Sequence, residues 1–398
     1  MIPVTVELPT WTEPSWSEWA FCSAVCGYSP CPTHSHCASY AAALRALGLP
    51  VRVAEGGWWQ SKIVQAACFA LRFAVDPADN HAAICTATLG PGATVFEPLA
   101  GGVSCDVWKV DGPQGPVVVK RPLEQLRVAA DWHAPVDRSE SEVRWLRFAH
   151  AIDPAMVPEV LADFPTLNAF ALRFLPDCPV WKDELMAGRA DAGFAAQVGR
   201  GIASVHAASA NDPAVPVQFP DDAMFRALRV DPFLLYTADR NPEVAAPLRA
   251  VAADLVARRV ALVHGDVSPK NILIGAAGPV FLDAECAVHG DPAFDLAFCT
   301  THLLLKAVHL GDADMQGAAA ALVTAYAAGI DWEPPADLLG RAGRLTAALL
   351  LARIEGKSPA PYLTEPAHRL CVRQQAITLL HAPQSLDHLV AHWTRTPV

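Results

Sequence analysis

Residues 263–275 read V-H-G-D-V-S-P-K-N-I-L-I-G, and residues 280–283, after a short turn, read V-F-L-D. Asn271 follows Asp266 by five residues, and Asp283 follows it by seventeen. Magnesium-dependent phosphoryl transferases need this layout, because one carboxylate accepts the proton of a hydroxyl while an amide and a second carboxylate hold the metal against the phosphates. The spacing therefore predicts Asp266 as a catalytic base and Asn271 and Asp283 as magnesium ligands.

Apolar, largely β-branched segments flank this loop on both sides, at residues 261–263, 272–274 and 280–282. Such segments are typical of short buried strands, so the polar residues are expected on a loop held between them. Aspartate and asparagine are also common in turns for backbone reasons alone. A single such residue would favour a structural role, but the complete spacing favours the catalytic one.

Three short strands are predicted upstream, at residues 95–99, 105–110 and 116–120, joined by glycine-containing turns. The first turn carries Gly101, Gly102 and Ser104, and its backbone N–H groups would lie over the phosphates of a nucleotide. Adjacent glycines also occur in ordinary hairpins, so both interpretations of this turn stay open.

Lys120 lies at the end of the third segment, in the run V-V-V-K-R. In the small lobe of a kinase, such a lysine binds the α- and β-phosphates and is held by a glutamate of the next helix. That helix is predicted at residues 139–151, with Ser139 as its N-cap and Glu142 at capping-box spacing. Glu142 is the expected partner of Lys120, with Glu140 as the alternative.

Two further strands are predicted at residues 157–162 and 169–174, and Pro176 ends the pattern. A hinge between two lobes is expected there. The backbone from Arg173 to Leu175 would then face the adenine of the nucleotide.

Beyond the hinge the chain is predicted to be mostly helical. The amphipathic segment 191–209 contains His206, which is expected to be a packed, hydrogen-bonded core residue rather than a functional one. Pro292 is expected to open another helix with Asp291 at its N-cap. Asp295, one turn further on, would accept hydrogen bonds from the catalytic loop. Helices that begin near residues 293, 315, 336 and 366 complete this part of the chain.

The composition narrows the class of partner. The chain has 398 residues, of which 52% are hydrophobic, and this allows a substantial core. The net charge of −11, from 41 acidic and 30 basic residues, argues against nucleic acid or an anionic membrane and favours a cationic or neutral small molecule. The sequence has no apolar run that would span a bilayer, and residues 1–16 lack the features of a secretory signal. The cytoplasm is therefore the expected compartment.

Residues 1–91 differ from the rest of the chain, because they are poor in charge and rich in cysteine. The odd total of eleven cysteines indicates free thiols rather than a disulfide framework. A zinc site would be the alternative, and with it a metal- or partner-binding role, although no C-x-x-C pair is present. Its ligands would come from Cys22, Cys26, Cys31, Cys37, His34 and His36.

The chain from about residue 96 to the C-terminus resembles the aminoglycoside phosphotransferase and choline kinase group. The resemblance rests on H-G-D-V-S-P-K-N-I-L, F-L-D-A-E and G-D-P-A-F-D-L-A. It implies an α+β, bilobal protein-kinase-like fold: an extension (1–91), a small antiparallel nucleotide-binding lobe (92–175) and a mainly helical lobe (176–398). ATP and Mg²⁺ are the implied cofactors.

The same resemblance implies a role for each matching residue. Asp266 would be the catalytic base, Asn271 and Asp283 the metal ligands, and Lys120 with Glu142 the phosphate-binding pair. His264 and Asp295 would support the catalytic loop.

Departures from protein kinases disfavour a protein substrate. Gly265 stands where protein kinases have an arginine, D-A-E replaces D-F-G, and no A-P-E motif follows. The expected function is ATP-dependent phosphorylation of a hydroxyl group of a small molecule. By family default, the expected acceptor is aminoglycoside-like. Choline, methylthioribose or another sugar or amino alcohol are alternative acceptors, and a non-catalytic nucleotide-binding module is the alternative class.

The acceptor site is left open by the sequence. Lys270 would orient the acceptor hydroxyl or simply be solvated. Acidic side chains of the helical lobe would favour an amine, and the candidates are Asp183, Glu184, Asp221, Asp222 and Glu285.

Overall fold

The structure is a computed structural model that describes residues 95–99, 104–112, 115–123, 138–165 and 168–395. The chain divides into two compact units, Met1–Glu97 with Val110–Gly115 and Pro98–Lys109 with Pro116–Val398. The predictions for Gly101, Gly102 and the cysteines before residue 95 lie outside the described residues, and the bounds at residues 91 and 175 stay predictions. Every residue of the candidate site belongs to the second unit.

A five-stranded sheet has the strand order β1-β2-β3-β5-β4. Its strands are β1 (Val95–Pro98), β2 (Cys105–Gly112), β3 (Gly115–Pro122), β4 (Val160–Phe164) and β5 (Ala169–Arg173). Strands β3 and β5 are antiparallel, with Val117 opposite Arg173 and Lys120 opposite Phe170. Val119 and Lys120 are both buried, so β3 carries a charged side chain into the interior.

Helix α1 (Arg138–Ile152) follows β3 in the chain. Its buried residues recur at helical spacing and include Val143, Leu146 and Ala149. The helix begins at Arg138, so the prediction that Ser139 is the N-cap is wrong, and Ser139 is buried within the first turn. The cause is the buried Arg138 side chain, whose hydrogen bonds to Glu285 and to the Ser104 carbonyl anchor this turn.

The rest of the described chain is mainly helical. Its helices are α2 (Trp181–Met186), α3 (Ala192–Ala210), α4 (Val215–Gln218), α5 (Ala223–Phe225), α6 (Tyr236–Arg240), α7 (Ala245–Ala257), α8 (Ala293–Leu310), α9 (Ala313–Ala327), α10 (Pro335–Glu355), α11 (Pro366–His381) and α12 (Leu386–Ala391). Short 3₁₀ turns occur at Pro154–Met156, Pro242–Val244 and Pro269–Asn271, and Arg226–Leu235 is a π-helical segment. Over the described ranges, no helix combines the length and apolar character needed to cross a bilayer.

Helix α8 is the centre of the helical part, because its side chains are buried from Ala293 to Val308. A helix that is buried on all faces lies in the interior of a domain. Helices α3 and α9 also pack very closely, since a Cβ on Gly199 would lie 2.3 Å from the Leu322 carbonyl oxygen. This close packing fixes α3, which carries His206, against the core.

The start of α8 is capped as predicted. The assigned helix begins at Ala293, which puts Pro292 at the formal N-cap position, although Pro292 has no side chain that could cap the helix. The dihedral angles of Pro292, φ −60° and ψ −18°, are already helical, so Pro292 opens the first turn and Asp291 precedes it in the capping position, as predicted. Asp291 accepts a hydrogen bond from the Ala293 N–H at 3.1 Å, and Arg341 pairs with its carboxylate.

Two short ribbons frame the predicted catalytic loop. Strand β6 (Ala261–Val263) pairs with β9 (Val288–Gly290), and β7 (Ile272–Gly275) pairs with β8 (Gly278–Phe281). All three residues of β6 are fully buried. The polar loop therefore lies between two strands, as the apolar flanks predict, with β6 fully buried and β7 buried at its first residue, Ile272.

Candidate active site

Asp295 holds the start of the catalytic loop. Its carboxylate accepts hydrogen bonds from the backbone N–H groups of His264, at 2.7 Å, and Gly265, at 2.9 Å. His206 Nε2 lies 3.2 Å from the same carboxylate, and the Tyr326 hydroxyl lies 2.8 Å from His206 Nδ1. Asp295 and His206 are each 1% exposed, so these bonds form in the interior. His206 is thus a packed, hydrogen-bonded residue, as expected.

His264 joins the loop to the residue that follows β8. Its Nδ1 accepts a hydrogen bond from the Asp266 N–H at 3.1 Å, and its Nε2 donates to the Leu282 carbonyl at 3.1 Å. Burial lowers the pKa of His264 below its usual value of 6.5, more than nearby carboxylates raise it. The neutral ring therefore supplies one acceptor and one donor, which is what these two bonds require.

Gly265 is required by its backbone conformation. Its φ is +80°, and a Cβ at this position would lie 2.6 Å from the Cys286 carbonyl oxygen. A larger residue, such as the arginine of protein kinases, would therefore force the loop away from Cys286.

The Asp266 carboxylate lies between two cations. Arg229 Nη2 is 3.0 Å and Lys270 Nζ is 3.2 Å from its Oδ2. Arg229 also donates to the Gly265 carbonyl. Burial alone would lower the pKa of Arg229, but the charges of Asp266 and of further acidic groups nearby together outweigh burial and raise it. Lys270 lies beside Asp266, and its side chain is 47% exposed. It is therefore placed to orient an acceptor hydroxyl and is also solvated in part, so both interpretations of Lys270 stay predictions.

Asn271 lies on the same loop and is oriented by it. Its Nδ2 donates to the Asp266 carbonyl at 3.1 Å, which leaves Oδ1 as its potential metal ligand. Asp283 follows β8 with a φ of +68°, an uncommon conformation for a residue other than glycine. Such backbone conformations cluster at functional sites, where the surrounding structure holds them.

Lys120 lies between two carboxylates. Its Nζ is 2.8 Å from both carboxylate oxygens of Glu142 and also donates to Asp283 Oδ1. Burial would lower the pKa of Lys120, but Asp283 and Glu142 raise it, so the ammonium stays charged. Burial likewise raises the pKa of Glu142 against the opposing effect of Lys120. Glu140, the alternative partner, instead pairs with Arg144 at 2.7 Å on the outer face of α1.

The donor set fits a hard divalent cation. Magnesium prefers oxygen ligands, and Asn271 and Asp283 supply an amide and a carboxylate oxygen. Cys105, Asp283 and Glu285 also place one potential ligand atom each within 4.8 Å of one another. Burial raises the pKa of the Cys105 thiol, so it stays protonated and is a poor ligand. The oxygen donors alone would hold the metal.

Two members of the site were not predicted from the sequence. One is Arg229, and the other is Arg138, whose Nε donates to Glu285 at 2.9 Å and whose Nη2 donates to the Ser104 carbonyl at 2.6 Å. Ser104 is thereby tied to the D-A-E segment. The acidic residue of D-A-E indicated that Glu285 could have a basic partner. Nothing in the sequence near Arg138 identifies Arg138 as that partner.

Arg173 and Leu175 lie apart from the Lys120 group. Arg173 ends β5, and its exposed side chain pairs with Glu159 at 2.9 Å. Leu175 is half-buried in the connection to α2. Their predicted role concerns the backbone, and it stays a prediction.

Three of the five acidic candidates for an acceptor site already have basic partners. The pairs are Glu184 with Arg189, Asp222 with Arg226 and Glu285 with Arg138. Glu285 is also buried, at 4% exposed.

Buried neutral histidines predict a pH-dependent stability. Burial lowers the pKa of His264 below 6.5 and that of His302 well below it. The unfolded chain binds both protons as the pH falls below 6.5, whereas the folded chain does not, so stability is lost in that range by up to about 1.4 kcal/mol per pH unit for each group. Urea unfolding at pH 7.5, 6.5 and 5.5 measures this loss.

His302→Gln isolates one contribution, because its unfolding free energy should fall less steeply below pH 6.5 than that of the unaltered protein. His388→Gln, at an exposed histidine, is the matched control. Equal slopes for the two variants would contradict the assignment.

Comparison with known proteins identifies the family and the fold of the chain. The family model described as "Phosphotransferase enzyme family" matches residues 95–338. Methylthioribose kinase of Pectobacterium carotovorum is 26% identical over 216 residues, 48% of this chain and 54% of that protein. Methylthioribose kinase of Klebsiella pneumoniae strain 342 is 26% identical over 249 residues, 54% of this chain and 61% of that protein. The chain thus spans between half and two thirds of the length of these curated relatives.

A crystal structure of a choline/ethanolamine kinase family protein from Mesorhizobium loti has a TM-score of 0.50 and 19% identity, covering 78% of this chain and 96% of that one. This likeness confirms the predicted α+β, protein-kinase-like fold. The family model covers well over half of the chain, from β1 into α10. The chain therefore belongs to the phosphotransferase enzyme family.

Proposed function

We propose that the protein is an ATP- and Mg²⁺-dependent kinase that phosphorylates a hydroxyl group of a small molecule. The observation that carries the proposal is the convergence of Lys120, Glu142 and Asp283 in one hydrogen-bonded group, together with the Asp266–Asn271 loop. Family membership supports the same reaction class.

Each residue has a distinct proposed role. Lys120, held by Glu142, would bind the nucleotide phosphates, and Asn271 and Asp283 would hold the metal. Asp266 would accept the hydroxyl proton while the acceptor oxygen forms a bond to the γ-phosphorus and the bond to ADP breaks. Bound Mg²⁺ would supply neutralisation of the phosphate charge. The protein's part in such a reaction is mainly positioning and charge stabilisation.

Methylthioribose is one candidate acceptor, because the curated relatives are named as methylthioribose kinases. Aminoglycosides, choline and simple sugars remain the other candidates that the family resemblance suggests. Sequence identity near 26% and partial coverage leave the acceptor to experiment.

Magnesium-dependent release of ADP from ATP tests the proposal. We expect release to rise when the correct acceptor is added from a panel of methylthioribose, aminoglycosides, choline, sugars, hydroxy acids and sugar phosphates. The rise should depend on Mg²⁺ and disappear in Asp266→Ala, because the proposed base is removed. ATP binding without acceptor-stimulated release across the panel would favour a non-catalytic nucleotide-binding module.

A further inference from the structure

Four basic side chains lie buried in the helical part, and one of them, Arg229, contacts the catalytic loop. This basic cluster consists of Arg229 in the π-helical segment, His302 and Lys306 on successive turns of α8, and Arg353 near the end of α10. Their exposed fractions are 8%, 9%, 1% and 9%, in that order. Buried basic groups are normally paired with carboxylates, so this cluster requires an explanation.

The basic cluster is continuous with the proposed catalytic base. Arg229 contacts Asp266 at 3.0 Å, and its guanidinium carbon lies 5.8 Å from the centre of the Phe298 ring. The other side of the cluster begins at His302, whose ring centre is 5.1 Å from that of Phe298. A single aromatic ring therefore separates Arg229 from α8's basic residues.

Arg353 reaches the same row of aromatic rings from α10. Its guanidinium carbon lies 5.9 Å from the centre of the Phe233 ring, and Phe233 lies 5.8 Å from Phe298. The charges of Arg353 and Lys306 both lower the pKa of His302, after burial itself. The four groups thus share one electrostatic environment.

The missing partners are carboxylates. Lys306 Nζ reaches only the His302 carbonyl, at 3.4 Å, and the face of the Tyr362 ring, at 5.1 Å. Arg353 Nη1 donates to Ser358, while its Nε and the Tyr362 hydroxyl are buried without a hydrogen-bond partner in the described structure. Within the described ranges, no carboxylate lies at ion-pair distance from Lys306 or Arg353.

This arrangement is unfavourable for the protein without a ligand. Burial, and after it the charge of Arg353, lower the pKa of Lys306 from 10.5 to about 7. The chain has a net charge of −11, yet none of the carboxylates in the described ranges forms an ion pair with Lys306 or Arg353. A bound anion would supply the missing negative charge and the missing acceptors for the orphaned donors.

We propose that the basic cluster binds a carboxylate or phosphate group of the hydroxyl acceptor. The substrate is then an acidic molecule, such as a hydroxy acid or a sugar phosphate, rather than an amine. This reverses the preference for a cationic or neutral partner that the net charge predicts. The inference rests on the proposed kinase function in one respect, because it identifies the bound molecule as the acceptor. The anion site itself is inferred from the geometry of the basic cluster.

Matched compound pairs test the proposal. Gluconate with glucose, glycerate with glycerol and ribose 5-phosphate with ribose differ in an acid group while keeping hydroxyls. Binding of each compound is measured by thermal shift and by calorimetry, and ADP release is measured in parallel. The variants Lys306→Met and Arg353→Met are compared with the unaltered protein and with Arg258→Met, a control that removes an exposed charge. Gluconate and glycerate carry a carboxylate, and ribose 5-phosphate carries a phosphate, so the set shows which of the two acid groups the basic cluster binds.

We expect at least one acidic compound to bind and its uncharged counterpart not to bind. Lys306→Met should weaken the binding of that acidic compound on the order of 10- to 100-fold, because a hydrogen-bonded ion pair is lost. In the ADP-release assay, the KM for the same compound should rise by a similar factor, with a smaller change in kcat. Arg258→Met should change neither. Lys306→Met should also raise the melting temperature without ligand, because an unpaired buried ammonium is removed.

Either of two binding results overturns the proposal. One is that no acidic compound binds, and the other is that acidic compounds bind Lys306→Met as tightly as the unaltered protein. Turnover of a neutral or amine acceptor that Lys306→Met leaves unchanged would also overturn it while the kinase function stands. Binding of an acidic compound that is lost in Lys306→Met, with no ADP release in any assay, would instead reject the kinase function and retain the anion site.

Discussion

Asp266→Ala is expected to lower turnover by about 10²- to 10⁴-fold, the usual contribution of a general base. The carboxylate is the acidic group of the catalytic loop that both Arg229 and Lys270 contact. Nucleotide affinity should change little, because the proposed phosphate and metal contacts come from Lys120, Asn271 and Asp283. Single-turnover ADP release and a separate ATP titration measure the two effects independently.

The control for this prediction addresses folding. Removing the Asp266 carboxylate leaves Arg229, which is 8% exposed, without its carboxylate partner, and such a loss can destabilise the loop. Asp266→Asn keeps the side-chain volume and the backbone carbonyl to which Asn271 donates. Both variants should melt as cooperatively as the unaltered protein. Near-normal turnover in a folded Asp266→Asn protein would remove Asp266 from the role of base.

Local features of the fold could be predicted from the sequence because their causes are local. Strand β6 has the predicted bounds, Ala261–Val263, and it lies within the short apolar run 260–263 between Arg259 and His264. Asp191 caps α3 through the Gly193 and Phe194 N–H groups, which lie two and three residues away. The convergence of Asp266 and Asn271 follows in the same way from the tight 3₁₀ turn between them.

Contacts between distant parts of the chain could not be predicted. Arg138 and Glu285 are separated by 147 positions, and no spacing rule pairs an arginine at a helix start with an acid after a strand. Arg229 lies in a π-helical segment around Pro232, whose irregular backbone has no simple sequence signature. Both basic residues were therefore missed, although each completes the surroundings of a predicted site residue.

The net charge of the whole chain does not describe the charge of its interior. The chain is acidic overall, but Lys306 and Arg353 lie in an interior region whose charge is positive. Overall charge describes the solvated surface, whereas recognition depends on the few groups that face the ligand. Only the tertiary structure brings α8 and α10 together at this point.

Asp295→Ala is expected to have the largest effect on stability, lowering the free energy of unfolding by about 3–5 kcal/mol. The Asp295 carboxylate accepts hydrogen bonds from two buried backbone N–H groups, of His264 and Gly265, and contacts His206 as well. Alanine would leave these buried donors without an acceptor, and each unsatisfied group costs about 1–3 kcal/mol. Urea unfolding followed by circular dichroism measures the change.

Asp295→Asn provides the comparison within the site. Its single carbonyl oxygen can accept from one of the two N–H groups, whereas its amide would face the other as a second donor, so the loss should remain large. Asp254→Ala, at an exposed position of α7, is the matched control and should change stability by no more than about 0.5 kcal/mol. Because Asp295 positions the first residues of the catalytic loop, Asp295→Asn protein that remains folded should also lose turnover while ATP affinity is retained. An Asp295→Ala loss as small as that of Asp254→Ala would show that the loop is held by other contacts.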